Sequence, residues 1–185
     1  MNKKGYLLFL SSLILFSWPH EKRLQRLLHK LWPDRQIEWI QISHQAFRDK
    51  SGKKANAPSD LNGTPDRLYR LTEADSLLGW LLIRQTAACH LGGCFEGKQR
   101  NNKTYENFTY AVVFDPDYHI LRISILEMES DYGYQIASKP WLRQMEGKSA
   151  CQLQYGKTPD AISGATVSAK SLVEDLKNIC YLLSE

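Results

Sequence analysis

The feature that most limits what this chain can fold into is a turn with an apolar run on each side. Tyr110-Ala111-Val112-Val113-Phe114 leads into Asp115-Pro116-Asp117-Tyr118, after which Leu121, Ile123 and Ile125 alternate with Arg122 and Ser124. Proline pre-sets φ for a turn, and flanking aspartates bond their own backbone there. Alternation with a period of two puts one set of side chains on each face of a strand. The pattern predicts an antiparallel hairpin, with strands over 110–114 and 119–127.

A lone hairpin is marginal in water and needs a covering layer. The strongest helical pattern supplies one near the C-terminus. Leu172, Val173, Leu176, Ile179, Cys180 and Leu183 fall on one face, with Lys170, Glu174, Asp175 and Lys177 elsewhere. Further strands are expected at 68–70, 76–86 and 149–155. A short helix is expected at 141–146, capped by Ser138, with Pro140 near its first turn and Gly147 as its stop. Residues 35–47 read as strand or helix, and the polar stretch 49–66, with Gly52, Pro58, Gly63 and Pro65, as loop. The fold class is therefore α+β, an antiparallel sheet with flanking helices and a C-terminal helix.

The chain's 185 residues fit one domain and a terminal appendage. With 43% apolar and 24% charged residues the composition is that of a folded protein, which argues against disorder. A net charge of +4, scattered along the chain, is too weak for a nucleic-acid partner. Lys3 and Lys4 precede an apolar run from Leu7 to Trp18, which has the form of a signal peptide or uncleaved anchor and is shorter than the ~20 residues of a spanning helix. Trp18-Pro19 is a poor cleavage context, and Lys22, Arg23, Arg26 and Lys30 place positive charge after the run. The expected location is the exported side of a cell membrane or the periplasm. Leucines 24, 27, 28 and 31 then mark a basic amphipathic helix stopped by Pro33, which could lie on a membrane or on its own domain. This divides the chain into a signal or anchor (1–20), a helix and linker region (21–66) and a main domain (67–185).

Two motifs carry chemistry. Cys89-His90-Leu91-Gly92-Gly93-Cys94 spaces its cysteines as neither a thioredoxin-like CxxC nor a haem-attachment CxxCH. Two glycines between them allow a small disulfide or redox-active pair; free structural thiols, or a metal site adding His90 and a fourth ligand, are the alternatives. Cys151 and Cys180 read as small core residues. The second motif is Asp160-Ala161-Ile162-Ser163-Gly164-Ala165-Thr166-Val167-Ser168, a run of small residues opening onto the C-terminal helix. It presents the Thr166 hydroxyl at a helix N-terminus, where unpaired N–H groups and the macrodipole favour an anion. An ordinary helix entry has the same letters.

The motif Asp160-x-x-Ser163-Gly164-Ala165-Thr166-x-Ser168 resembles the acceptor site of the FMN-binding domain family. That family includes the covalent-flavin subunits of sodium-pumping NADH:quinone reductases and related ion-pumping electron-transport complexes. The weaker similarity runs from about Leu68 to the C-terminus and takes in Tyr132-Gly133-Tyr134-Gln135-Ile136 and Trp141. The resemblance implies FMN esterified through its phosphate to Thr166 by a flavin transferase that uses FAD. It implies cofactor contacts from Asp160, Ser163, Gly164, Ala165, Ser168, Gly133, Tyr134 and Trp141. The function expected on that basis is a membrane-associated exported flavoprotein that relays electrons between redox partners, a carrier more than a stand-alone enzyme. Neither catalytic acid–base pair nor metal site is assigned. The alternatives are a non-flavin exported binding or structural domain, and a thiol-redox protein using Cys89 and Cys94.

Overall fold

The structure, a computed structural model, describes residues 20–42, 67–89 and 106–183. The leader, the loop 49–66, His90 and Cys94 lie outside them. In chain order the elements are helix α1 (Glu21–Leu31), strands β1 (Glu38–Ile42), β2 (Arg67–Glu73), β3 (Ser76–Ala87), β4 (Asn107–Phe114) and β5 (Ile120–Met128), helix α2 (Lys139–Arg143) and helix α3 (Thr166–Leu183). The strands form one sheet in sequential order, every pair antiparallel. The expected α+β class with a C-terminal helix is what the chain adopts.

The hairpin at the centre of the sequence is β4–β5, paired through Ala111 with Ser124 and Val112 with Ile123. Asp115 holds its turn, its Oδ1 accepting from the Asp117 and His119 N–H groups at 2.9 and 2.8 Å. β4 is apolar on both faces because helices cover both. Phe108, Tyr110, Val112 and Phe114 point to the side of Leu172, Val173, Leu176 and Ile179 on α3. Ala111 and Val113 point to the other side, with Leu71, Leu81, Ile83 and Leu126, against Leu24 and Leu28 of α1. The leucine stripe of α1 thus packs on its own domain. That packing is reinforced by the Arg23 guanidinium, which donates to the Leu126 carbonyl at 2.8 Å, and by a 3.2 Å pair between His20 and Glu127. Of residues 35–47, open between strand and helix in the sequence, Glu38–Ile42 form the edge strand β1, and 43–47 lie outside the described residues.

Gly79 lies in β3 where the chain passes β4, and a Cβ there would collide with the Phe114 carbonyl. The β2–β3 register shifts beside it, between Leu71 and Thr72. Across the sheet, Arg84 of β3 pairs with Asp175 of α3 at 3.2 Å, and Asp175 also accepts from the buried Tyr110 hydroxyl at 2.7 Å. These bonds fix the rotation of α3 over the sheet more sharply than apolar contacts alone would.

Two expectations are corrected. Residues 149–155 form a 3₁₀ turn, Ala150–Gln152, rather than a strand. Their buried apolar residues, Ala150 and Leu153, are three apart, which suits a 3₁₀ turn and not the alternation of a strand. Cys151 and Cys180 are not independent core residues: they form a disulfide with a Cα–Cα distance of 5.3 Å, across 29 positions of sequence. It ties the 3₁₀ turn to the inner face of α3. A structural disulfide of this kind is consistent with an oxidising compartment outside the cytoplasm, such as the periplasm.

Candidate functional site

β3 runs out at Ala87, and the next two residues drop into the core. Ala88 donates to the Glu106 carbonyl at 2.6 Å, and Cys89 is completely buried. Cys89 is disulfide-bonded, to a partner outside the described residues. Its main-chain N–H donates to Ser168 Oγ at 3.0 Å, and its Sγ lies 3.2 Å from the same oxygen. A disulfide sulfur carries no proton, so the hydroxyl hydrogen of Ser168 is the only one available for the contact with sulfur. The Cys89 carbonyl accepts from Ser130 Oγ at 3.0 Å, and that oxygen in turn accepts from the Tyr132 N–H at 3.1 Å.

Gly133 closes the cluster. It adopts φ +81°, and a Cβ on it would stand 2.6 Å from Ser168 Oγ and 2.9 Å from Cys89 Sγ. Only a residue without a side chain fits between these atoms. The sulfur is therefore enclosed by Gly133 on one side and by the first turn of α3 on another, since Ser168 is the third residue of that helix. The 18 residues of α3 direct the positive end of their macrodipole, and their unpaired N–H groups, toward this end of the helix. On either side of Gly133, Tyr132 and Tyr134 are exposed, at 42% and 65%.

The small-residue motif meets this cluster but is divided in its surroundings. Thr166 opens α3 as expected and is half-buried, while Ser163 and Gly164 are exposed. Ala165 and Ser168 are buried in the core. Asp160 is bound to the α2 region at three points. Its N–H donates to Gln144 Oε1 at 2.7 Å, its Oδ2 accepts from Gln144 Nε2 at 3.1 Å, and its carbonyl accepts from the Trp141 indole at 2.8 Å. Trp141 is itself nearly buried, and with Tyr134, Ala137, Ser138 and Ile162 it lines an open groove of about 580 Å³.

This arrangement corrects the expectation of a covalently flavinylated electron relay. Of the polar groups assigned to the cofactor, the Ser168 hydroxyl holds Cys89 and the Asp160 carboxylate holds Gln144. Gly133 and Ala165 are occupied by packing inside the protein. Among the described residues, no helix is long and apolar enough to cross a membrane. The redox-capable chemistry that the fold does assemble is that of sulfur: Cys89 in one disulfide, Cys151 and Cys180 in another.

Sequence reasoning missed Ser130 and the Cys151–Cys180 bond. Neither has a local signal, because their partners lie 41 and 29 positions away. It singled out Ser168 and Gly133, but for a different purpose. No protein-family model matches the chain and no curated protein matches it, so the site itself carries the functional reading.

Proposed function

We propose that the chain is a thiol–disulfide redox protein of the periplasm or an equivalent oxidising compartment, with Cys89 and Cys94 as its reacting pair. The observation that carries this reading is the oxidised Cys89 sulfur, 3.2 Å from a hydroxyl on the first turn of an 18-residue helix. Helix N-termini and hydrogen-bond donors stabilise a thiolate, and the better a sulfur leaves as thiolate, the faster its disulfide exchanges.

The burial of Cys89 supports a division of roles. A buried sulfur suits the leaving position, and Cys94 is then the sulfur that is attacked. A substrate thiolate bonds to Cys94 Sγ, the Cys89–Cys94 bond breaks, and its electron pair stays on Cys89 as thiolate, receiving the Ser168 O–H. A second thiolate of the same substrate attacks the mixed disulfide and releases Cys94. The substrate dithiol loses two electrons and two protons and becomes a disulfide; the protein gains both. Tyr132 and Tyr134 offer an exposed aromatic surface next to the sulfur for a substrate chain to lie on.

Oxidation of dithiothreitol by the purified full-length protein tests the reading. Cys89→Ser and Cys94→Ser are expected to abolish one round of stoichiometric oxidation, and Thr166→Ala to leave it unchanged, with circular dichroism confirming the fold of each. Undiminished oxidation in either cysteine variant sinks the proposal. So does a flavin-phosphate adduct on the Thr166 peptide of protein from its native host.

A further inference from the structure

Along the free edge of the sheet, at β5, the elements α1, β5 and α2 line a cleft of about 270 Å³. Its charge is one-sided. α1 contributes Arg23, Arg26 and Lys30, β5 contributes Arg122, and the first and last residues of α2 contribute Lys139 and Arg143. Among the described residues its lining holds one carboxylate, Glu146, which lies 3.3 Å from Arg122 Nε. That contact is an ion pair without hydrogen-bond alignment, and the buried Arg122 Nε has no hydrogen-bond partner.

Six cations around one carboxylate do not follow from the composition, which is nearly balanced at 24 basic to 20 acidic residues. They are collected by tertiary structure, since Arg23 and Arg122 are far apart in the chain. Side-chain hydrogen bonds to main-chain carbonyls steady two of the arginines, Arg23 on Leu126 and Arg26 on Lys22. Each of those bonds uses one of the five donors a guanidinium carries. Planar, fixed guanidinium groups converging on a small cleft suit the oxygens of a phosphate, which they bind in paired fashion. The volume is at the lower end for ligand pockets and suits one phosphate-bearing group more than a whole nucleotide.

We infer that this cleft is a binding site for a phosphate-type anion. The group is either a soluble phosphate ester or the headgroup of an anionic phospholipid. The inference stands apart from the thiol reading: it uses none of the same residues, and its readout is binding.

Calorimetric titration of the full-length protein with inorganic pyrophosphate, and flotation with phosphatidylglycerol-containing vesicles against pure phosphatidylcholine, separate the two sources. Binding of either probe, weakened as sodium chloride is raised, is expected. Arg122→Gln is expected to weaken it roughly tenfold, the loss of one charge-assisted donor pair. The exposed pair Lys139→Gln/Arg143→Gln is expected to weaken it at least as much without lowering the melting temperature, and Arg143→Lys to retain most of it. The double variant decides the matter if Arg122→Gln does not fold. Binding of pyrophosphate assigns a soluble ligand, and binding of anionic vesicles alone assigns a headgroup. Binding of neither probe, or binding unchanged in the double variant, overturns the inference.

Discussion

Ser168 shows how one side chain can join local structure to chemistry. Its hydroxyl accepts from the Cys89 N–H and faces the Cys89 sulfur from the first turn of α3. Ser168→Ala leaves a buried N–H without its acceptor, which is expected to cost about 1–3 kcal/mol in urea unfolding. In the proposed exchange it also removes the donor to the leaving thiolate, so dithiol oxidation should slow by about tenfold. A purely structural serine would lower stability and leave the rate intact, and measuring both separates the roles. Gly133 is constrained more simply. Gly133→Ala places a methyl group 2.6 Å from Ser168 Oγ at φ +81°, and the expected loss is about 1–3 kcal/mol. Unchanged stability would mean that the Tyr132–Tyr134 segment can move away from the sulfur.

The elements around the sheet are held by different means. α1 is short and basic, and what holds it is the burial of Leu24 and Leu28 on the side of the sheet opposite α3. Leu24→Ala is expected to cost about 2–5 kcal/mol, with faster amide exchange in Glu21–Leu31 than in β4. Equal protection of the two elements in the variant would contradict this account. α3 has both apolar packing and a covalent tie to the turn at Ala150–Gln152. Closing a loop of that length stabilises by roughly 3–4 kcal/mol. A Cys151→Ala/Cys180→Ala double variant is expected to lose about that much in denaturant unfolding while keeping dithiol oxidation, because the reacting sulfurs are elsewhere.

For the whole molecule, two disulfides imply two jobs, and graded reduction can tell them apart. The Cys89 disulfide has a hydroxyl and a helix N-terminus to stabilise the thiolate it releases, whereas Cys151–Cys180 joins the 3₁₀ turn to the inner face of α3. Mild dithiothreitol followed by alkylation and peptide mapping should label Cys89 and Cys94 well before Cys151 and Cys180. The reverse order would remove the distinction between a reacting and a structural bond. Charge is also arranged at this scale. The mild net charge of the chain conceals a cleft in which six cations from three separate segments converge.

The sequence by itself determined the pieces whose cause is local. The β4–β5 hairpin follows from Asp115-Pro116 and the alternation after it, α1 from its leucine spacing, and α3 from its apolar stripe. Each of these is set by residues within one turn or one strand of each other. Only the tertiary structure decided which cysteines meet, because Cys151 and Cys180 lie on different elements and come within 5.3 Å only after α3 has docked. It alone decided that residues 150–152 form a turn, since their chain is tied to the helix rather than to a neighbouring strand. The same holds for the small-residue motif, whose letters permit a cofactor contact or a helix entry. Folding places Ser168 on Cys89 and Asp160 on Gln144, and a hydroxyl's function depends on which atom arrives opposite it.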